Sequence, residues 1–157
     1  MSVKQDEVLQ IIKSLEGTKQ YQEKLGYFRN GKYRIYKDSL GYETIGFGHL
    51  VLGNEKEHFV NGITELQAEQ LLVLDYQKAV KGTDSLKLGL RPDGRWYAMV
   101  TVLVFQLGLA GFSKFKRCIY ALQNQNYATA LAELRDSKLY RQTPNRVDYL
   151  IKWVTKQ

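Results

Sequence analysis

The sequence has little cysteine and little proline. Cys118 is the only cysteine among 157 residues, so no disulfide can form within the chain and no cluster of thiolates can bind a metal. The two prolines, Pro92 and Pro144, are too few for a proline-rich linker. A single cysteine suits a reducing cytoplasm, and we expect Cys118 to be a small buried apolar side chain.

Long hydrophobic runs and internal repeats are also missing. We expect neither a signal peptide nor a membrane helix, so a substrate beyond the membrane would require another factor to let the protein through. With 44% hydrophobic and 25% charged residues, the composition is typical of one ordinary globular domain.

Acidic residues are outnumbered by basic ones. Lysine and arginine total 23 against 16 aspartates and glutamates, which gives a net charge of +7 and a pI of about 9.4. Such a chain favours polyanions, which include nucleic acids and cell walls that carry phosphates and carboxylates. No basic helix or nucleic-acid-binding motif accompanies the charge, so we expect no nucleic-acid partner.

The first third of the chain changes from a helical to a strand periodicity. Apolar residues recur at helical spacing up to Leu15, which predicts a first helix over about 3–16 that stops at Gly17. Between residues 24 and 49, aromatic and β-branched residues alternate around Asn30-Gly31, a strong hairpin signal. We expect a three-stranded antiparallel sheet here.

The remainder of the chain has helical signals. Thr64 and Gln67 have the spacing of a capping box, which predicts a helix that runs to about Lys81. The stretch 96–107 is apolar nearly all round, which is typical of a buried helix. Thr143-Pro144 predicts an N-cap and the start of a last helix toward Val154, after shorter helices over about 114–123 and 127–134.

These elements predict one α+β domain over residues 1–157. We expect a small antiparallel sheet lobe over about 17–62. The larger helical lobe would cover about 63–157, packed with the N-terminal helix at 3–16 and separated from the sheet lobe by a cleft.

Two carboxylates suggest a chemistry for this cleft. Glu16 ends the first helix, Asp38 enters a turn between two strands, and Thr44 follows that turn. A glutamic acid in a partly apolar niche can stay protonated near neutral pH, while an aspartate in a wetter turn stays ionised. Such a pair beside an ordered water is what glycoside hydrolysis needs. Strand alternation puts Glu43 on the face opposite Thr44, so we interpret Glu43 as a solvated carboxylate.

Five motifs resemble those of the phage-type lysozymes, of the T-even phage endolysin kind, and they occur in the family's order. They span most of the chain and are Leu15-Glu16-Gly17, Tyr36-Lys37-Asp38, Gly41-Tyr42 with Thr44-Ile45-Gly46-Phe47-Gly48-His49-Leu50, Val104-Phe105-Gln106-Leu107-Gly108, and Gln142-Thr143-Pro144-Asn145-Arg146. The resemblance implies a lysozyme-like fold. It also implies a muramidase that cleaves the β-1,4 bond between N-acetylmuramic acid and N-acetylglucosamine for host cell lysis.

The resemblance also implies roles for single residues. Glu16 matches the general acid, Asp38 the acidic partner and Thr44 the hydroxyl that helps to hold the attacking water, which fits an inverting mechanism. Leu50 and Phe105 match positions that line the sugar site. Where the family has serine and asparagine, the alignment has Phe115 and Glu133, which is a departure from the pattern.

Four residues match positions near the site that we interpret as structural: His49, Asp75, Gln106 and Arg146. The family pattern pairs His49 with Asp75, and such a pair raises a histidine pKa. A base or a metal ligand is the other interpretation of His49, but no metal-ligand spacing surrounds it. Arg146 matches an arginine near the acid. We expect no metal and no cofactor.

The chain has more residues between Glu16 and Asp38 than the family's compact pattern. The extra segment, about Thr18 to Tyr33, is expected to form an elongated hairpin or surface loop. Its tyrosines, lysines and arginines leave open a second interpretation, an added element that contacts the cell wall.

The resemblance finally implies partners and a location. The expected partner is bacterial peptidoglycan, with a monomer that stays in the host cytoplasm until a holin releases it. The alternative is a catalytically altered wall-binding or virion-associated module on the same fold.

Overall fold

A computed structural model describes residues 2–156, and most of this length is helical. The elements in chain order are α1 (Gln5–Glu16), α2 (Lys19–Lys24), β1 (Phe28–Arg29), β2 (Lys32–Tyr33), β3 (Tyr36–Lys37), β4 (Glu43–Ile45), β5 (His49–Leu50), α3 (Lys56–Phe59), α4 (Glu65–Ser85), α5 (Arg95–Phe112), α6 (Lys116–Gln123), α7 (Tyr127–Arg135), α8 (Lys138–Gln142) and α9 (Pro144–Thr155). Long helices with short antiparallel strands confirm the predicted α+β class.

The chain divides into two compact units. One is formed by Leu9–Gln77 and carries all five of these strands, and the other is formed by the stretches before and after it. The boundaries predicted for a sheet lobe and a helical lobe within one domain stay a prediction.

The hairpin signal at Asn30-Gly31 is confirmed. Strands β1 and β2 pair antiparallel on either side of this turn, with Phe28 opposite Tyr33. Asn30 has a φ of 52° and Gly31 a φ of 74°. Two successive positive φ angles are what a type I′ turn requires, and asparagine followed by glycine adopts them at the lowest cost.

The prediction of one three-stranded sheet over residues 24–49 is wrong. The Tyr33 backbone pairs with Ile63, whose carbonyl accepts from Tyr33 N at 2.8 Å and whose N–H donates to Tyr33 O at 2.9 Å. Arg34 N donates instead to Tyr27 O at 2.7 Å. The strand therefore ends at Tyr33, and two sheets result, β1-β2 and β3-β4-β5.

The extra segment after Glu16 begins with a helix, which corrects the expectation of a hairpin or loop throughout. The Thr18 hydroxyl accepts a hydrogen bond from Tyr21 N at 3.2 Å and so caps α2. A helix of six residues is too short to show a hydrophobic period, so only the capping threonine could have indicated it.

The predicted capping box at the start of α4 is confirmed. Thr64 N donates to Gln67 Oε1 at 2.8 Å, and Gln67 N donates back to Thr64 Oγ1 at 3.2 Å. The helix runs to Ser85, a few residues beyond the predicted end.

Helix α5 is the buried helix that the sequence predicts, and every residue from Ala98 to Val104 is buried. Gly108 interrupts it with a φ of 75°, which marks a kink. The expectation that no run is long enough for a membrane span needs correction, because these 18 residues pass such a test by length and composition. Burial of this kind is also typical of a core helix.

The last four helices follow the sequence signals with two exceptions. Helix α8 was not expected, and Ser137 caps it by accepting from Tyr140 N at 3.1 Å. Pro144 does occupy the first position of α9, but the Thr143 side chain does not cap this helix. Its hydroxyl donates to Leu139 O at 3.1 Å instead.

Candidate active site

Glu16 is the last residue of α1 and is half-buried. The helix stops there because Gly17 has a φ of 118°, which continues no right-handed helix. The Glu16 carboxylate lies directly over Gly48. A Cβ atom added at Gly48 would come within 2.7 Å of the Glu16 carboxylate carbon and of its Oε2. The glycine thus provides the space that the carboxylate occupies.

Asp38 is held by the turn that follows β3. Its Oδ1 accepts two backbone hydrogen bonds, from Leu40 N and from Tyr42 N, each at 2.9 Å. Gly41 N donates to the Asp38 carbonyl at 3.0 Å, and Gly41 has a φ of 87°. The backbone of the turn therefore fixes this carboxylate.

The backbone of Tyr42 links Asp38 to Thr44. The Tyr42 carbonyl accepts from Asp38 N at 2.9 Å and from the Thr44 hydroxyl at 3.0 Å. Thr44 is 4% exposed. Because its hydroxyl hydrogen points at Tyr42, the oxygen of Thr44 is left to act as an acceptor.

The register of the second sheet separates the residues by face. Thr44 is the cross-strand partner of Tyr36 on one side and of Leu50 on the other, so these three share a face. Asp38 follows Tyr36 by two residues and belongs to the same face. Leu50 is 48% exposed.

Glu43 lies on the opposite face and takes part in a surface ion pair. Its cross-strand partner on β3 is Lys37, and its Oε2 lies 3.0 Å from Lys56 Nζ. This arrangement agrees with the interpretation of Glu43 as a solvated carboxylate.

His49 joins β5 to two acidic residues. Its Nδ1 lies 2.7 Å from Asp75 Oδ2, the contact that the resemblance implied, and its Nε2 lies 3.3 Å from Glu55 Oε1. The ring of Phe59 packs edge-on against it. Burial lowers the pKa of His49, but the hydrogen bonds and charges of Asp75 and Glu55 raise it by more, so this pKa lies above its ordinary value.

Sequence reasoning missed Glu55 as the second partner of His49. Glu55 also accepts a hydrogen bond from Leu52 N at 3.1 Å, which holds its carboxylate in a turn. No motif marks this contact, because it joins a strand end to a short loop. Over residues 2–156, no group of three or more His, Cys, Asp or Glu side chains could hold a metal ion.

The other unit contains three of the predicted residues, Phe105, Gln106 and Arg146, and all three are half-buried. Phe105 and Gln106 lie on α5 before its kink, and Arg146 lies in the first turn of α9. The Oε1 of Gln106 is buried and has no hydrogen-bond partner within the described range 2–156.

Phe115 and Glu133, the two departures from the family pattern, line the same cavity of about 570 Å³ in that unit. Cys118 also lines it, but its side chain is buried as predicted. Burial, and then the nearby charge of Glu133, raise the pKa of the Cys118 thiol to about 12. A thiol with this pKa is no nucleophile near neutral pH.

Comparison with known proteins defines the class. The profile of the Phage lysozyme family matches residues 27–147, well over half of the chain. An α+β fold with this sequence pattern is that of a lysozyme-type glycoside hydrolase. The chain belongs to the phage lysozyme family.

Individual relatives are similar over most of this chain. One is the probable T4-type lysozyme 2 of Dictyostelium discoideum, 26% identical over 150 residues, with 81% of this chain and 88% of the relative covered. Another is the peptidoglycan hydrolase gp36 of Pseudomonas phage phiKMV, 28% identical over 134 residues, with 84% of this chain but only 15% of that protein covered. The family match begins at residue 27 and so does not include Glu16.

Proposed function

We propose that the protein is a muramidase of peptidoglycan that cleaves the β-1,4 bond between N-acetylmuramic acid and N-acetylglucosamine. The observation that carries the proposal is the Tyr42 backbone, which ties the carboxylate of Asp38 to the hydroxyl of Thr44 on one face of a sheet. The name of the phage relative, a peptidoglycan hydrolase, supports the choice of substrate.

In the proposed mechanism Glu16 donates a proton to the leaving glycosidic oxygen. Asp38 accepts a hydrogen from the attacking water, and Thr44 Oγ1 accepts the other. A water that gives both hydrogens in this way keeps a lone pair for the anomeric carbon, and attack from the face opposite the leaving group inverts the configuration. Leu50, on the same face as Thr44, would contact a sugar.

The test is the release of new reducing ends from purified peptidoglycan. We expect Glu16→Gln to lower the rate by about 10²–10⁴-fold, the usual contribution of a general acid, and Asp38→Asn to lower it strongly as well. Glu43→Gln is the matched control, because it removes a nearby carboxylate from the opposite face of the sheet. The wild type should release the α-anomer first, which proton NMR of the fresh product can detect.

Two outcomes contradict parts of the proposal. Full activity of Glu16→Gln would mean that another group is the acid, and initial release of the β-anomer would exclude inversion. Binding to cell walls without any new reducing ends from the wild type would favour the alternative, a wall-binding or virion-associated module.

The proposed setting is lysis of a host cell by a monomer that waits in the cytoplasm and reaches the wall through a holin. If the protein is a monomer, light scattering should give a mass near 18.2 kDa. Expression in a host without a holin should leave the cells intact until the membrane is permeabilised, and spontaneous lysis would contradict this route.

A further inference from the structure

Gln22 is a buried polar residue that the proposed mechanism does not use. It belongs to α2, the helix in the extra segment that follows Glu16, and it is 1% exposed. Its neighbours Tyr21 and Glu23 on the same helix are exposed. A glutamine in this position is uncommon, because burial of an amide is unfavourable unless its polar atoms find partners.

The Gln22 amide joins two backbone segments. Its Nε2 donates to the carbonyl of Gly17 at 3.0 Å and to the carbonyl of Gly46 at 2.9 Å. These two acceptors fix the orientation of the amide, because the reversed group would set its oxygen against both carbonyl oxygens. Both hydrogens of the NH₂ group are therefore in use.

Together with the covalent chain and the packing contact at Gly48, these two hydrogen bonds form a closed circuit that includes the carboxylate of Glu16. Glu16 is bonded covalently to Gly17, and Gly17 is bridged by Gln22 to Gly46. Two residues further along the chain, Gly48 lies against the Glu16 carboxylate. Gly46 itself lies beside α4, since a Cβ added there would be in van der Waals contact with the Cβ of Ala68 at 3.5 Å.

The oxygen end of the amide, the buried Gln22 Oε1, makes no hydrogen bond within the described residues 2–156. An unsatisfied buried oxygen destabilises a fold and offsets the gain from the two donated bonds. Through its two donated bonds the amide sets the distance between the end of α1 and the Gly46–Gly48 turn.

We infer that Gln22 is a positioning residue for the general acid, which rests on the proposed role of Glu16. It fixes the end of α1 against the turn on which the Glu16 carboxylate lies. The extra segment thereby contributes to the chemistry, although Gln22 lies outside the motifs and before the family match, which begins at residue 27.

The first experiment replaces Gln22 by methionine, which has nearly the same shape but no donor. We expect Gln22→Met to fold with a lower melting temperature than the wild type, because the carbonyls of Gly17 and Gly46 lose their donor and removal of the unsatisfied Gln22 oxygen offsets this loss only in part. The kcat for reducing-end release should fall by about tenfold or more, since a small misplacement of a reacting group is costly. The KM should change little. Gln20→Met, at an exposed position of the same helix, is the matched control.

The second experiment uses Gln22→Glu, which can restore one donor when its carboxyl group is protonated. Its kcat relative to the wild type should therefore rise as the pH is lowered, whereas Gln22→Met should show no such recovery. A residue that only fills space would not produce this difference.

The outcomes separate this inference from the proposed function. No reducing ends from the wild type would overturn both. An active wild type with kcat unchanged in Gln22→Met, or equally reduced in Gln20→Met, would overturn the role of Gln22 alone. Failure of both Gln22 variants to fold would make the residue structural and would overturn it as well.

Discussion

Replacing Gly48 by alanine tests directly whether the proposed general acid, Glu16, depends on the space that Gly48 leaves for its carboxylate. Alanine brings two perturbations, because Gly48 has a φ of +83° and its added Cβ would come within 2.7 Å of the Glu16 carboxylate. The first is a backbone strain of about 1–2 kcal/mol for an L-residue in the left-handed region. The second is a steric overlap of about 0.7 Å relative to ordinary van der Waals contact.

The two perturbations should affect different measurements. The strain acts on stability, and in a chain of this length about 1–2 kcal/mol lowers the melting temperature by roughly 2–8 °C. The overlap acts on Glu16, which is a flexible side chain and can move away at little cost in stability. Such a displacement can reduce the rate by about 10²-fold, because a general acid must reach the leaving oxygen.

Gly26→Ala is the matched control for the strain. Gly26 has the same φ of +83°, but a Cβ there would meet nothing within 4 Å. We expect both variants to lose similar stability and only Gly48→Ala to lose activity in the reducing-end assay. If Gly48→Ala kept its activity within about threefold of Gly26→Ala, the Glu16 carboxylate would not depend on this contact, and the reasoning would be refuted.

Two further predictions concern titratable groups. Because the folded-state pKa of His49 is raised, its stabilising effect is complete below the unfolded pKa of about 6.5 and is lost as the pH rises through the folded pKa. His49→Gln should therefore cost about 1.5–3 kcal/mol of stability near pH 6 and less at alkaline pH, as measured by thermal melts across pH. Cys118, with a pKa raised to about 12, should react with a thiol reagent only as fast as the protein unfolds, and rapid labelling of the native protein would contradict its burial.

Local signals predicted the elements that depend on local physics. Asn30-Gly31 forms its turn because these two residues tolerate positive φ, and Thr64 with Gln67 forms a capping box because both partners lie within one helical turn. The prediction of one sheet over residues 24–49 is wrong because Ile63, 30 positions away in the sequence, pairs with the backbone of Tyr33. No local pattern contains such a pairing.

In the candidate site, too, local signals predicted some features, whereas contacts between distant residues could not be predicted. Asp38 and Thr44 could be singled out, since a turn and a strand period place them on one face. The role of the Tyr42 backbone, the second partner of His49 at Glu55, and the bridge made by Gln22 depend on contacts that only the folded chain reveals. Most of these contacts are made to backbone carbonyls. Because every residue type has a carbonyl, the sequence does not show which residue will accept the hydrogen bond.

Helix α2 and the β1-β2 hairpin have a consequence for chain entropy. The connection between Glu16 and Asp38 is 21 residues long. A flexible connection of that length costs only about 0.6 kcal/mol more than one of half the length, but its wandering ends would leave the two carboxylates poorly fixed relative to each other. Here the added residues fold upon themselves, and Gln22 fastens the result to Gly17 and Gly46. The connection between two proposed catalytic groups can therefore vary in length and still hold both groups in place, provided that the inserted residues make their own contacts with the segments at both ends.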